Sequence, residues 1–203
     1  FFNHQHSSWR IIVSNYSYYE TGSYLRAEDD MYSSDVALLE MDDEPPPYFD
    51  AYYAGWNRYT SSPSISVGIH HPGGDPKKIN FDNDTAYSCG WDASNTHWCL
   101  SWDEGGTAGG SSGSPIFNNS NLIVGQLSGG TGGDCGNGTD YYGKFSKSWT
   151  GGNTNSSRLK NWLDPGNTGS YTLDGTYDGQ VITGCTDSNA CNYNSNADQD
   201  DGS

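Results

Sequence analysis

The sequence has few basic residues and no long hydrophobic run. Nine Lys and Arg stand against 25 Asp and Glu, which gives a formal net charge of −16. A chain this acidic is repelled by nucleic acid phosphates, which argues against a DNA- or RNA-binding protein. Its apolar runs stop well short of the ~20 residues that cross a bilayer, which argues against a membrane-spanning protein.

Glycine and aromatic residues, by contrast, are abundant. Gly accounts for 27 of 203 residues and the aromatic residues for 14%, whereas the usual share of Gly is about 7%. Short apolar segments, such as 35–41, 65–69 and 122–127, alternate with turns rich in Gly, Pro, Asp and Asn. This pattern predicts an all-β barrel or sandwich. A single helix is predicted over 155–163, capped by Ser156 or Ser157.

The composition changes towards the carboxyl end. Beyond about Asp174 the chain is rich in Asp, Asn, Gly and Thr, so we place a boundary near Asp178, with one domain over 1–178 and an acidic segment over 179–203. Oxygen-bearing side chains alternate in this segment, at Asn192, Asn194, Asn196, Asp198 and Asp200. Such alternation would suit Ca²⁺, but the EF-hand spacing is not matched. We therefore interpret the segment as a solvated linker and expect no cofactor, with Ca²⁺ as the alternative.

The cysteines number five, namely Cys89, Cys99, Cys135, Cys185 and Cys191. An odd count predicts a free thiol or a partner outside this chain. Cys89 and Cys99 are spaced to bridge a local loop. The chain opens on Phe1 rather than Met, which favours a fragment or a processed product, and its low Lys content with many Asn, Ser, Thr and Tyr favours an exported protein.

Residues 105–115 read Gly-Gly-Thr-Ala-Gly-Gly-Ser-Ser-Gly-Ser-Pro. Such a run is either a flexible linker or a loop that presents a nucleophilic serine. Its position between two aromatic, strand-like segments, 98–102 and 115–117, favours the loop. Glycines let such a loop turn tightly and aim amide N–H groups at a developing oxyanion. A nucleophilic serine also needs a base and an orienting carboxylate. Asp35, at the start of an apolar strand, is a candidate carboxylate, and the alternative is an exposed strand-end acid.

Asp35 with its following Val-Ala-Leu-Leu, upstream of Gly-Ser-Ser-Gly-Ser-Pro, resembles the trypsin/chymotrypsin superfamily. Further segments are similar, in one order, to the bacterial lysyl endopeptidases, namely 53–58, 69–72, 110–115, 124–127, 142–144 and 157–165. The resemblance covers roughly residues 1–175. It implies a chymotrypsin-like double β-barrel with a truncated N-terminal barrel, a C-terminal helix and an acidic tail. It also implies a secreted or cell-surface serine endopeptidase that cleaves protein or peptide substrates after Lys.

The resemblance assigns roles to individual residues. Ser112, rather than Ser114, is the nucleophile, and the N–H groups of Gly110 and Ser112 form the oxyanion site. Asp35 orients the catalytic imidazole. Ser111 stands where trypsin has the Asp that pairs with the new N-terminus, so that activation switch is absent.

Substrate recognition falls, by the same resemblance, on Asp140 and on Ser128, Gly129 and Gly130. The Asp140 carboxylate would pair with the ammonium of a substrate Lys, and its alternative is an ordinary loop acid. Residues 128–130 would bind the substrate as an added strand. Lysyl endopeptidases have His where this chain has Ser128, which leaves a preference for Glu or for mixed basic residues open.

The general base is the part of the resemblance that fails. The family's Ala-x-His-Cys motif is missing, and the histidines are His4, His6, His70, His71 and His97. His4 and His6 align with the strand after the catalytic His. The 70–71 pair has the composition of a metal site, but neighbouring strand residues point to opposite faces, which favours a structural role. We expect the base upstream of Phe1 and this chain alone to be inactive; the alternative is a non-catalytic, protease-like binding module.

Two more features follow from the resemblance. Trp9 replaces a family Cys, and Cys135 aligns with a Cys whose partner lies in the N-terminal segment. Residues 184–203 resemble a Cys-containing repeat of secreted and surface proteins of marine bacteria. Such a repeat would present the module at the cell surface.

Overall fold

The computed structural model describes residues 12–13, 16–17, 22–46, 51–91, 93–132, 138–177, 183–194, 197 and 199–202. Strands account for 37% and helices for 10%, which confirms the predicted all-β class. The strands are β1 (Ile12–Val13), β2 (Tyr16–Ser17), β3 (Ser23–Asp29), β4 (Val36–Met41), β5 (Tyr52–Tyr53), β6 (Trp56–Asn57), β7 (Ser66–His70), β8 (Lys78–Asp82), β9 (Tyr87–Cys89), β10 (His97–Leu100), β11 (Pro115–Phe117), β12 (Ile123–Gly130), β13 (Asp140–Lys144), β14 (Thr172–Leu173), β15 (Thr176–Tyr177), β16 (Thr183–Gly184) and β17 (Gln199–Asp200). The described α-helices are α1 (Phe145–Thr150) and α2 (Lys160–Leu163).

The chain divides into two compact units. The first comprises residues 1–44 and 54–175, and the second comprises 45–53 and 176–203. Antiparallel pairing of β5 with β15 and parallel pairing of β16 with β17 build the second unit. The boundary predicted near Asp178 lies outside the described residues. No helix in the described ranges is long and apolar enough to cross a membrane.

One large sheet dominates the first unit. Its strands lie in the order β8-β7-β11-β12-β13-β10-β9, each antiparallel to its neighbours, and β6 adds a short parallel pairing to β12. A further antiparallel bridge joins Phe81 of β8 to Glu104, just beyond β10. The sheet therefore curls so that β8, at one end, meets the chain that follows β10 near the other end. The resemblance implies a double β-barrel with a truncated N-terminal barrel, and strand pairing within the described residues forms no closed barrel.

Strand β12 contributes residues to two hydrophobic clusters. Val124 and Leu127 join the cluster that contains Trp98, Ile116 and Tyr142. The preceding residue, Ile123, belongs to the other cluster, with Trp56, Phe145, Trp149 and Leu159. The neighbouring residues Ile123 and Val124 thus supply different cores, as successive strand residues do. Strict alternation does not extend to Leu127, and the register of β12 against β11 is irregular at residues 123–125. Burial in both cores explains why β12 reads as an almost continuous apolar run.

The helix predicted over 155–163 is wrong as a single element. Residues Asn155–Ser157 form a 3₁₀ turn, and α2 begins only at Lys160, because the backbone of Arg158 is extended at φ −147° and ψ 147°. The cap is Thr154, which forms a capping box with Ser157. Helix α1 was not predicted, although its buried residues, Phe145, Ser148 and Trp149, follow the i, i+3, i+4 spacing of a helix face.

The structure tests the predictions for four of the five cysteines. Cys89 and Cys99 form a disulfide between β9 and β10, as their spacing predicted. Cys185 and Cys191 are free in the structure, the first buried and the second exposed. Cys135 and Trp9 lie outside the described residues, so the pairing expected for Cys135 stays a prediction.

The hydrophobic cluster that contains Trp56 and Trp149 can be tested by a stability measurement. Trp149 is only 3% exposed and its ring lies 4.7 Å from the ring of Trp56. Trp149→Ala should lower the free energy of unfolding by about 3–5 kcal/mol, because it leaves a large cavity between packed rings. Tyr87→Ala is the matched control, since Tyr87 is 55% exposed. Urea unfolding followed by circular dichroism measures both, and equal losses would contradict the assignment of this core.

Candidate active site

The Gly-rich stretch is anchored at its start by two buried polar side chains. The Gly106 N–H donates to Oδ1 of Asn80 on β8 at 3.1 Å. The Thr107 hydroxyl donates to Oδ2 of Asp140 on β13 at 2.8 Å. Asn80 is 1% exposed and Asp140 is 6% exposed, so both anchors lie in the interior of the sheet. A flexible linker makes no such contacts, and this segment is therefore an ordered loop.

The end of the same loop is held by strands β7 and β12. Ser111 is 1% exposed, and its Oγ lies 2.8 Å from Nδ1 of His70, the last residue of β7. The Gly113 N–H donates to the Leu127 carbonyl at 2.8 Å, and the Leu127 N–H donates to the Ser114 carbonyl, also at 2.8 Å. Buried partners thus hold the chain on both sides of residue 112.

Ser112 differs from its serine neighbours in exposure. It is exposed, whereas Ser111 and Ser114 are 1% and 8% exposed. Gly110 and Gly113 have φ values of +94° and +80°, which glycine adopts without the cost other residues incur. The turn that these two glycines make presents the Ser112 side chain to solvent. Of the serines in this loop, Ser112 is the one open to a substrate.

Asp35 ends a turn that packs against β12. Its N–H donates to the Asp30 carbonyl at 3.1 Å, and its φ is +49°, in the left-handed region that Asp tolerates better than most residues. Gln126 of β12 donates from Nε2 to the Ser34 carbonyl at 2.7 Å and to the Asp35 carbonyl at 3.3 Å. A side chain at Gly143 of β13 would collide with the Ser34 carbonyl, so this close approach depends on glycine.

His97 is a residue of this site that the sequence did not single out. It is fully buried on β10, and its Nε2 lies 3.0 Å from Oγ of Ser128. The Thr96 hydroxyl donates to the Ala93 carbonyl at 2.8 Å, so it accepts from His97 Nδ1 at 2.7 Å. Nε2 is then the acceptor and the Ser128 hydroxyl is the donor. The only signal in the sequence was a polar residue opening an apolar strand.

The charge of His97 follows from its surroundings. Burial lowers the pKa of His97 below its ordinary value, the nearby Asp35 raises it, and Lys144 lowers it further. Burial is the largest of these effects, so the imidazole is neutral at pH 7. His97 therefore interacts electrostatically with Asp35 and by a hydrogen bond with Ser128 of β12.

Asp140 is a buried carboxylate with internal hydrogen-bond donors. Trp102 Nε1 donates to its Oδ2 at 2.7 Å, and Thr107 donates to the same oxygen. Burial raises the pKa of Asp140, while these two donors and the nearby His70 lower it. The other oxygen, Oδ1, lies against the backbone of Gly130, where any larger side chain would collide with it. The structure thus brings Asp140 and Gly130 together.

Residues 128–130 form the end of β12, where the register with β13 shifts at Ser128, and Gly129 and Gly130 pair with β13 on one side. Gly129 lies opposite Tyr141, and Gly130 lies opposite Asp140. On the other side, β11 begins at Pro115, which lies opposite Gln126. The described strands therefore leave that side of residues 128–130 without a neighbour. The Trp91 ring lies against Gly129, since a Cβ there would come within 3.2 Å of it. An extended chain can pair with this open edge.

The remaining histidines do not form a joint site in the described residues. His70 is 2% exposed and faces Ser111, whereas His71 is partly exposed and its Nδ1 lies 3.2 Å from the Asp75 carbonyl. The 70–71 pair therefore points to separate partners, as expected for neighbours on a strand. His4 and His6 lie outside the described residues.

A group of acids on the same unit could hold a cation. Carboxylate oxygens of Asp82, Asp84 and Asp103 lie within 4.8 Å of one another. Two of the three are exposed, and exposed acids often cluster without an ion. Burial and the two neighbouring acids raise the pKa of Asp82, against an opposing hydrogen bond from the Asp84 N–H. The expectation of no cofactor, and the alternative of Ca²⁺ at the tail, both stay predictions.

Comparison with known families yields a match. A family model described as lysyl endopeptidase, C-terminal domain, matches residues 1–143 of the chain. The matched range contains the candidate residues of the site from Asp35 to Asp140. It ends at Gly143, the glycine that lets the Asp35 turn approach the sheet.

The close approach at Gly143 can be tested by a single methyl group. Gly143→Ala should lower the free energy of unfolding by about 1–3 kcal/mol, because the added Cβ pushes the Ser34 carbonyl away from Gln126. Gly109→Ala is the matched control, since a Cβ there meets nothing within 4 Å. Urea unfolding compares the two variants. If both are as stable as the wild type, the packing of the Asp35 turn on β13 is wrong.

Proposed function

The chain belongs to the lysyl endopeptidase C-terminal domain family, and we propose on this basis that it is a trypsin-like serine endopeptidase that cleaves protein and peptide substrates after Lys. One observation carries the proposal beyond the family. Ser112 is exposed at the tip of a loop whose flanking residues are bound to buried side chains. A loop that delivers a nucleophile must be rigid, because the reacting atoms need defined positions.

The proposed mechanism uses the groups around this loop. A histidine upstream of Phe1 takes the proton of Ser112 while Oγ attacks the scissile carbonyl. Asp35 orients that imidazole and stabilises its charged form. The N–H groups of Gly110 and Ser112 donate to the oxyanion of the tetrahedral intermediate. The histidine then protonates the leaving amine, and water hydrolyses the acyl-enzyme by the same route in reverse.

Lys specificity is assigned to Asp140. Its carboxylate is buried next to Gly130, at the strand end proposed to bind the substrate backbone. A substrate ammonium that reaches Asp140 gains a partner in a site with little water, whereas a neutral side chain leaves the carboxylate unpaired. Residues 128–130 would pair with the substrate as an added strand.

Two alternatives have a basis in particular residues. A non-catalytic, protease-like binding module would have the same loop but no general base, since no Ala-x-His-Cys motif is present. A protease with another preference, for Glu or for mixed basic residues, would use the neighbourhood of Ser128. There the His97 imidazole lies 3.0 Å from the Ser128 hydroxyl.

We also propose an extracellular location, either secreted or at the cell surface. The Cys89–Cys99 disulfide fits an oxidising compartment. The acidic tail would act as the Cys-containing repeat that its sequence resembles, or as a solvated linker. Ca²⁺ binding there is the weaker possibility, and direct calcium titration of the intact protein tests it.

The nucleophile is tested by a serine-directed reagent. Phenylmethylsulfonyl fluoride should modify Ser112 of the intact protein at alkaline pH and abolish hydrolysis of Lys substrates. Ser112→Ala should lose both, and Ser114→Ala should retain modification because residue 114 is only 8% exposed. Mass spectrometry of the treated peptides locates the adduct. An unmodified Ser112 in the intact protein would favour the binding module.

The specificity pocket is tested by an isosteric change. Asp140→Asn keeps an oxygen that accepts from Trp102 and Thr107 but removes the charge. We expect kcat/KM for Lys substrates to fall about a hundred-fold or more, since a buried ion pair loses one partner. Asp84→Asn, at an exposed acid, is the control. Unchanged Lys preference in cleavage-site profiles of Asp140→Asn would refute the pocket assignment.

A further inference from the structure

A buried histidine that the mechanism above does not use is bound to the loop that carries the proposed nucleophile. His70 ends β7 and is only 2% exposed. Its Nδ1 lies 2.8 Å from Oγ of Ser111, the residue directly before Ser112. Ser111 is 1% exposed, so this hydrogen bond is shielded from water. Such a bond restrains the loop more than one at the surface would.

Ser111 is the centre of the turn that contains the proposed oxyanion donors. Its N–H donates to the Ala108 carbonyl at 3.0 Å, and its Oγ accepts from the Ala108 N–H at 3.3 Å. Its carbonyl accepts from the Ser114 N–H at 3.1 Å. Gly110 and Ser112 lie on either side of it in the chain. A rotation of Ser111 would therefore move both of their N–H groups.

The chain just after His70 provides a second attachment. The Gly73 N–H donates to the Gly109 carbonyl at 2.7 Å. The loop is thus bound at Gly109 and at Ser111, and Gly110 lies between the two points with a φ of +94°. Both attachments come from β7 and the turn that follows it. Loss of one leaves the other, so the loop should loosen rather than unfold.

An ordinary buried histidine would be expected to satisfy both ring nitrogens. The Nε2 of His70 is buried and completes no hydrogen bond of good geometry within the described residues, although the side chain of Asn80 interacts with the ring. A buried, unsatisfied ring nitrogen costs free energy that an apolar side chain would not. Burial lowers the pKa of His70 and His71 lowers it further, whereas the side chain of Asn80 and the nearby Asp140 raise it. Burial is the largest of these effects, so the ring is neutral near pH 7. The contacts with Ser111 and with Asn80 offset part of this cost, and the one with Ser111 joins His70 to the loop.

We propose that His70 is a positioning residue for catalysis: through Ser111, it holds the N–H groups of Gly110 and Ser112 in the arrangement that stabilises an oxyanion. This inference rests on the proposed function of Ser112 as the nucleophile. In this arrangement, a hydrogen bond between two uncharged side chains, His70 and Ser111, fixes the loop. His70 itself touches neither the substrate nor the reacting atoms.

The test compares three replacements of His70 in the intact protein. His70→Ala removes the contact and should lower kcat about ten- to a hundred-fold, with little change in KM. This fall in kcat should not exceed the fall caused by removing an oxyanion donor. His70→Asn places a polar atom where Nδ1 was and should recover most of the activity. His70→Gln places one where Nε2 was and should not. His71→Ala, at the partly exposed neighbour, is the matched control and should behave as the wild type.

A double-mutant cycle separates the contact from a general loss of packing. Ser111→Ala should lower kcat as His70→Ala does, and the double variant should be no worse than either alone, because both remove the same hydrogen bond. Additive losses would show that His70 acts apart from Ser111 and would overturn the proposal. So would equal activity of His70→Asn and His70→Gln, or a rise in KM with kcat unchanged.

Amide hydrogen exchange distinguishes failure of this inference from failure of the proposed function. His70→Ala should speed exchange in a peptide that spans 105–114 and leave β12 and β13 protected. If the wild type hydrolyses no Lys substrate, the proposed function is wrong, and the exchange result still decides whether His70 holds the loop. If exchange in 105–114 is unchanged by His70→Ala, the proposal is wrong whatever the activity.

Discussion

Three consecutive residues of β12 hold the candidate site together. Gln126 binds the carbonyls of the Asp35 turn, Leu127 exchanges two backbone hydrogen bonds with the loop that carries Ser112, and Ser128 binds His97. Because β12 also contributes residues to both hydrophobic clusters, packing in two cores holds its position. Asp35 and Ser112 are therefore positioned by one rigid strand, although they come from different parts of the chain.

The interior of the site is polar, which is costly unless each group finds a partner. Asp140, His97 and His70 are all nearly buried, and burial is the largest influence on the pKa of each. Burial favours the neutral form of both histidines, whereas the hydrogen bonds from Trp102 and Thr107 oppose the effect of burial on Asp140, the proposed pocket acid. A chain with a net charge of −16 also attracts cationic substrates over a distance, which agrees with the proposed preference for Lys.

The sequence predicted the local features of this molecule well and the distant contacts poorly. The strands before and after the Gly-rich loop, the Cys89–Cys99 bridge and the divergence of His70 from His71 all follow from spacing within a few residues. Helix α1 was missed and the helix at 155–163 was overestimated, because these segments are short and packing against Trp56 decides their shape. His97 was missed because nothing near it in the chain points to Ser128, which is 31 residues away.

The sequence by itself determined which chemical groups are available: a serine among glycines, a carboxylate before an apolar strand and an acid near the end of the sheet. It did so because such motifs are local and need only a few neighbouring residues to be recognised. Only the tertiary structure decided which of these groups meet. Gln126 and Ser34 are 92 residues apart, and the register of β12 with β13 brings them into contact. Contacts of this kind depend on how strands pair and twist, and no short segment of the sequence contains that information.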